Sequence, residues 1–174
     1  MRFLLILLSV INLYANDVES WVENKNYKKL CDTNIFNLAQ SNKDEALMNE
    51  YAHACMQLNQ VNRLAMPSVV LRNSQEARVN SIIYTTLLLK KKLLCAAVVD
   101  GLDISSLRLI KVDNPLSFVF DAYQKKEYTK EGDTFIIKEE QKIHKLYATT
   151  VKGEKRIRID TYDGDKLQDS KEYW

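Results

Sequence analysis

The spacing of the apolar residues changes along the chain at about residue 126. Before that point apolar side chains recur every three or four residues, which is typical of amphipathic helices. After it they alternate with polar side chains, which indicates strands with one buried face. The sequence therefore predicts an α+β protein. A helical body over 16–126 is followed by a small antiparallel β-meander over 127–174, which must pack on the helices because so few strands rarely fold alone.

The N-terminal part begins with a helical stripe of apolar residues at steps of four, four and three: Tyr27, Cys31, Ile35 and Leu38. Polar residues at 24–26 or at 32–33 are expected to break this stretch into two helices. Asn42 and Glu45 have the spacing of a capping box, which predicts a second helix from there to about Leu64. Pro67 prevents simple continuation and is expected to start a short new turn.

The longest predicted helix covers about residues 74–100, with Asn73 as its cap. Its apolar positions surround more than half of the circumference, so we interpret it as the central helix. The run from Lys90 to Lys92 is expected to extend from this apolar helix into solvent. Another helix is predicted to begin at Asn114 and Pro115, a cap followed by proline at the first helical position.

The C-terminal part contains four segments with a period of two, separated by turns at Gly132, Gly153 and Gly164. The predicted strands are Thr134–Lys138, Ile143–Val151, Lys155–Tyr162 and Leu167–Trp174. These segments predict the meander, with one solvent-exposed face and one buried face.

The first fifteen residues have the three parts of an export signal. Arg2 precedes an apolar core over 3–11, and Ala15 occupies the cleavage position. The core is well short of the roughly 20 apolar residues that span a membrane. We therefore expect residues 1–15 to be removed as a signal peptide, leaving a periplasmic protein without an integral membrane span. The alternative is an ordinary apolar first strand or helix.

Three cysteines are the most informative reactive residues. Cys31 and Cys55 each lie twelve residues from Lys43, which falls in the predicted turn of a helical hairpin. Twelve residues of helix extend roughly 18 Å, so the two thiols are expected at the same distance from the turn along the two antiparallel helices. Because export leads to an oxidising compartment, a Cys31–Cys55 disulfide is predicted. The alternative is two small core residues at a helix contact. Cys95 lies in an apolar run, where a thiol is expected to be inert.

The sequence contains no recognisable catalytic set. The two histidines, His53 and His144, lie on different predicted elements, and we place His144 on the solvated face of its strand. Two histidines without a Cys-x-x-Cys motif do not predict a metal or haem site. The net charge of +2 becomes +1 once Arg2 is removed, which leaves no electrostatic footprint for nucleic acid. We expect a non-enzymatic protein with no cofactor.

The hairpin between Asp44 and Leu64 resembles a tetratricopeptide or Sel1-like helical repeat. The residues that carry the resemblance lie in this hairpin and just before it: Asn26, Tyr27, Leu47, Tyr51, Ala52, Ala54 and Leu58. The match covers about one and a half hairpins in the N-terminal half. The resemblance implies a surface that binds another protein and implies no catalytic residues.

The first functional hypothesis is an exported adaptor or scaffold. It would bind another envelope protein or a second copy of itself, for example within a secretion or motility machine. Aromatic residues near the ends of the chain are predicted to anchor the interface: Trp21, Tyr27, Tyr173 and Trp174.

The alternative hypothesis is a binder of a small anionic ligand, or an enzyme, with its site between the helical body and the sheet. The candidate ligand residues combine a basic pair with two residues of the neighbouring strand: His144, Tyr147, Arg156 and Arg158. The competing interpretation is that these residues belong to an ordinary solvent-exposed strand face without a ligand site.

Overall fold

The computed structural model of the chain describes residues 17–174, and the predicted signal peptide, residues 1–15, lies outside this range. Helices form the first part and an antiparallel sheet the last, so the predicted α+β class is confirmed. The backbone contacts divide the chain into two compact units, of which the first ends at Tyr84 and the second is Thr85–Trp174. This division falls within one long helix, and the change from helix to strand lies inside the second unit.

The first unit is helical. Its elements are residues 17–23 (α1), Tyr27–Leu30 (α2), Thr33–Asn42 (α3), Glu45–Gln57 (α4), a 3-10 turn at Val61–Leu64, Pro67–Val70 (α5) and the first part of Gln75–Asp100 (α6). The first stretch breaks at both polar segments. The Asn26 side chain accepts a hydrogen bond from the backbone N–H of Lys29, and Asp32 caps α3 in the same way.

The start of α4 differs from the prediction. Its cap is Asp44, whose carboxylate accepts the backbone N–H of Leu47 at 3.0 Å, whereas Asn42 is the last residue of α3. Lys43 between them has a left-handed φ of 53°, which ends one helix and leaves Asp44 extended for the next. The prediction that Asn42 caps this helix is therefore wrong.

The end of α4 also differs from the prediction. The helix stops at Gln57 instead of continuing to about Leu64, because Asn59 has a φ of 54° and a right-handed helix cannot pass through that conformation. A short 3-10 turn follows. Pro67 then occupies the first turn of α5, as predicted.

Glu45 connects the start of α4 to the segment before α6. Its carboxylate accepts three backbone N–H groups, from Arg72 at 2.7 Å, Asn73 at 2.8 Å and Ser74 at 3.1 Å. These hydrogen bonds, those from Asn73 and Arg72 above all, lower the pKa of the Glu45 carboxyl. The cap of α6 is Ser74 and not the predicted Asn73, because the Ser74 hydroxyl accepts the N–H of Ala77.

Glu45→Gln is expected to destabilise the fold at neutral pH but not in acid. The folded chain lowers the pKa of Glu45 below its ordinary 4.5, so the ionised carboxylate stabilises the fold above that pH. The contribution is lost as the pH falls through the folded pKa. The urea unfolding midpoints of wild type and variant should therefore converge once the pH is below the folded pKa of Glu45. The exposed Glu131→Gln is the matched control and should follow wild type throughout, whereas a gap that persists in acid would contradict the assignment.

The interior of the first unit is formed by the apolar faces of its helices. The larger buried side chains are Leu30, Ile35, Met48, Tyr51, Leu64, Leu71 and Tyr84. Aromatic contacts contribute, since the rings of Phe36 and Tyr51 lie 5.4 Å apart between α3 and α4.

The second unit contains the rest of α6, a further helix and the sheet. The helix is Pro115–Gln124 (α7), and Asn114 caps it as predicted by accepting the N–H of Leu116 at 3.0 Å. The strands are Thr129–Glu131 (β1), Thr134–Glu139 (β2), Lys142–Val151 (β3), Glu154–Asp163 (β4) and Lys166–Tyr173 (β5). They form an antiparallel meander in chain order, and the short β1 was not predicted.

One face of the sheet is buried within the second unit. Ile157 and Ile159 of β4 point to this face, and Ile159 pairs with the buried Leu146 of β3. Helix α7 packs on the same face, where the Phe118 ring lies 5.6 Å from the His144 ring. The buried face of the sheet is therefore in contact with α7 inside this unit.

Candidate functional site

The predicted disulfide is confirmed. Cys31 and Cys55 are bonded, with their Cα atoms 4.9 Å apart, and both side chains are buried. The bond links the residue that ends α2 to α4. Arg63 reinforces the same region, because its guanidinium donates to the backbone carbonyl of Cys31 at 3.2 Å. The hairpin is therefore a covalently fixed base for any surface built on it.

Cys95 is the free cysteine of the described residues. Its side chain is partly exposed, and burial raises the pKa of the thiol. A raised pKa reduces the thiolate fraction, which is the reactive form. This agrees with the expectation that the residue is inert.

The four predicted interface aromatics occupy different surroundings. Trp21 and Tyr27 are half-buried in the first unit, and the Lys29 ammonium lies 5.8 Å from the Trp21 ring. In the second unit Trp174 is half exposed, whereas Tyr173 is buried in the sheet. Tyr173 therefore offers no ring to a partner at the surface.

Helix α5 carries the most exposed large apolar side chain among residues 17–84. Val69 is 71% exposed, and its neighbours Met66 and Val70 are also exposed. We call these three residues the α5 surface. A hydrogen bond from the Ser81 hydroxyl to the Ser68 carbonyl, 2.6 Å long, fixes α5 against α6. The exposed side chains are thus held on an anchored turn.

Two grooves border the α5 surface. Val70 lines one of 340 Å³, whose floor includes Ala39 and Met48. Met66 lines another of 300 Å³ with Phe36 and Tyr51. Apolar side chains therefore extend from α5 to α3 and α4 on both sides.

The charges along the two grooves are mostly basic. Lys43 and Arg72 line the first groove, and Arg63 lines the second. The two carboxylates of the first groove, Asp44 and Glu45, already accept backbone N–H groups. The two grooves together therefore contain three basic side chains against two acidic ones, a small excess of positive charge.

The four predicted ligand residues are divided between the two faces of the sheet. Tyr147, Arg156 and Arg158 share the outer face, but His144 is fully buried on the opposite face. The prediction that His144 is solvated is wrong. Positions 144 and 147 differ by an odd number, and side chains alternate along a strand, so the two cannot share a face.

The outer face of the sheet carries a network of paired charges. The Tyr147 hydroxyl donates to Asp160 at 2.8 Å, and Arg158 pairs with Glu172. Arg156 pairs with Glu154 at 2.8 Å and with Glu172. Both guanidinium groups thus have carboxylate partners within the chain, which weakens the argument for an anionic ligand at this face.

His144 and Lys90 are two fully buried polar side chains of the second unit. The imidazole of His144 is held by Thr161 Oγ1 and Glu139 Oε2, both 2.9 Å away. Lys90 was expected to reach solvent. Its ammonium instead donates to Asp121 at 2.6 Å and to the buried Ser117 at 2.8 Å.

Both carboxylate partners line one cavity, which we call the α7 cavity. It has a volume of 290 Å³ and lies along one face of α7, with Phe118 and Asp121 on the helix and Glu139 and Lys142 across from it. Sequence reasoning missed this cavity. One signal was available, because Lys90 lies on the same helical face as the apolar Leu87 and Leu94, and a lysine on such a stripe needs a buried partner.

Residues 17–174 contain no helix long and apolar enough to cross a membrane. Within the same range, no group of three or more His, Cys, Asp or Glu side chains is placed to hold a metal ion.

Comparison of the chain with family models, curated proteins and solved structures finds no match. The resemblance to tetratricopeptide and Sel1-like repeats therefore stays a prediction.

Proposed function

We propose that the chain is exported and acts as a non-enzymatic adaptor or scaffold that binds another envelope protein through the α5 surface. The observation that carries the proposal is the exposure of Val69 on a turn fixed to α6, between two grooves with apolar floors. Apolar side chains presented together in this way are typical of protein-binding surfaces.

The charges define the expected partner. Three basic side chains, Lys43, Arg63 and Arg72, border the α5 surface, against two carboxylates, Asp44 and Glu45. A complementary partner presents apolar anchors flanked by Asp or Glu. Such charges chiefly accelerate association and reject wrong partners, while the apolar anchors supply most of the affinity.

The disulfide supports the exported location. Intramolecular disulfides are common in oxidising compartments and rare in the cytosol, and Cys31–Cys55 holds the hairpin that carries the α5 surface. Together with the leader predicted at residues 1–15, it favours the periplasm as the place where the partner is met.

A photo-crosslinking residue at position 69 is expected to capture one specific envelope protein in living cells. The same residue at Ile110, an exposed apolar position of the second unit, is the matched control and should not capture it.

Val69→Asp, introduced into a tagged chain that is otherwise wild type, should reduce the amount of that protein that co-purifies at least about tenfold. The reason is that an unpaired carboxylate cannot be buried in an apolar contact. Arg72→Glu should slow association and weaken its salt dependence.

Two outcomes would contradict the proposal. The first is equal capture from positions 69 and 110, which indicates an unspecific neighbour. The second is recovery of the chain in the cytosol with Met1 attached and all thiols reduced, which removes both the location and the fixed hairpin.

A further inference from the structure

The size of the α7 cavity restricts its occupant. Its volume of 290 Å³ is just below the roughly 300–1,000 Å³ found for small-molecule sites. A cavity of this size suits a molecule as large as a free amino acid.

The inner wall of the α7 cavity carries two carboxylates held from behind. Lys90 fixes Asp121, and His144 fixes Glu139, each through one carboxylate oxygen. The side chains of Asp121 and Glu139 are still 19% and 33% exposed, so they can contact a ligand. The ammonium group of Lys90 balances the charge of Asp121, whereas the partner of Glu139 is the imidazole of His144. The wall therefore contains two carboxylates and one ammonium group, which leaves one carboxylate without an ammonium partner of its own.

The same wall contains apolar and aromatic surface. Pro115, Phe118 and Ala122 lie on the cavity face of α7, and the Phe118 ring is partly exposed. An aromatic ring beside carboxylates favours an ammonium group, and the neighbouring apolar atoms suit a hydrocarbon side chain.

The rim of the α7 cavity has the opposite charge balance. Three exposed lysines line it, Lys111, Lys125 and Lys142, against two exposed carboxylates, Asp113 and Glu127. We propose that the α7 cavity binds a small zwitterion of the amino-acid class, with its ammonium group against Asp121 and Glu139 and its carboxylate towards the rim lysines. This site shares no residue with the α5 surface, and neither proposal depends on the other.

Three matched probes test the proposed ligand chemistry. L-leucine carries both charges, 3-methylbutylamine lacks its carboxylate and 4-methylpentanoate lacks its ammonium group. Each is titrated into the ¹⁵N-labelled chain with its disulfide intact, and amide shifts are followed by NMR. Leucine is expected to shift the amides of α7 and of residues 139–142, and each single-charge probe should bind at least about tenfold more weakly.

Two variants distinguish the inner wall from the rim. Glu139→Gln keeps an acceptor for His144 but removes the charge, so it should weaken both leucine and 3-methylbutylamine about tenfold. Lys142→Gln, at an exposed position, should weaken leucine about threefold and leave 3-methylbutylamine unchanged. Glu131→Gln, outside the cavity, is the control and should bind all three probes as wild type does.

The proposal is overturned if leucine leaves these amides unshifted up to its solubility limit, or if its shifts lie elsewhere in the chain. It is also overturned if the single-charge probes bind as tightly as leucine, or if Lys142→Gln weakens leucine and the amine equally. Because Lys142 is exposed, this last comparison remains decisive even if Glu139→Gln disturbs the fold.

Discussion

Replacing Cys31 and Cys55 together by alanine is expected to lower the free energy of unfolding by about 3 kcal/mol. The disulfide spans a sequence separation of 24 residues, and its main effect is to restrict the unfolded chain. Both side chains are buried, so the loss of packed sulfur atoms adds to the entropic effect. In a chain of this length, 3 kcal/mol corresponds to a fall in melting temperature of about 6–12 °C.

Thermal and urea unfolding of the double variant provide the measurement. Cys95→Ala is the control, since it removes a partly exposed thiol that is not bonded, and it should stay close to wild type. Dithiothreitol should lower the stability of wild type towards that of the double variant and have little effect on the variant itself. Equal unfolding midpoints for oxidised and reduced wild type would contradict the assigned role of the bond.

The disulfide was predictable because it depends on local spacing. The turn near Lys43 and the equal numbers of residues on either side predict that Cys31 and Cys55 lie at the same level of the hairpin. The break between α2 and α3, which was not part of that argument for the thiols, leaves Cys31 within bonding distance of α4. The helix caps were less predictable. Asn42 and Asp44 are both good cap residues, and the choice was made by the left-handed conformation of Lys43 between them.

The burial of His144 could have been derived from the sequence. A two-residue turn at positions 152–153 pairs Val151 with Glu154 and thereby fixes the register of the whole hairpin. In that register Leu146 pairs with the inward Ile159, and His144, two residues away, points inward too. The strand alone was ambiguous, because apolar residues occur at both odd and even positions of β3.

The α5 surface and the α7 cavity could not be derived in this way. Whether Val69 is covered depends on which helices lie beside α5. The sequence of α5, Pro-Ser-Val-Val, fits a buried turn equally well. The pairing of Asp121 with Lys90 is a tertiary result, because these residues lie 31 positions apart. Glu139 and His144 meet across the β2–β3 hairpin, but their position beside a cavity depends on where α7 lies. Local patterns contain no information on such tertiary contacts.

Lys90→Met is expected to lower the free energy of unfolding by about 3 kcal/mol. The ammonium of Lys90 is fully buried, and its removal leaves the carboxylate of Asp121 and the hydroxyl of Ser117 without their shared donor. The loss should lie at the low end of the range for broken buried pairs, since Asp121 is 19% exposed and can recover some hydration.

Lys92→Met provides the matched control for this loss, because Lys92 is exposed on the same helix and its replacement should change stability by no more than about 0.5 kcal/mol. Combining Lys90→Met with Asp121→Leu replaces both charges by apolar groups, which often costs little, so the double variant should be more stable than Lys90→Met alone. Urea unfolding of wild type, Lys90→Met, Asp121→Leu and the double variant gives the coupling free energy between the two sites. If the losses at Lys90 and Asp121 simply add, the two side chains do not stabilise the second unit as a pair, and Asp121 is not held in place for a ligand.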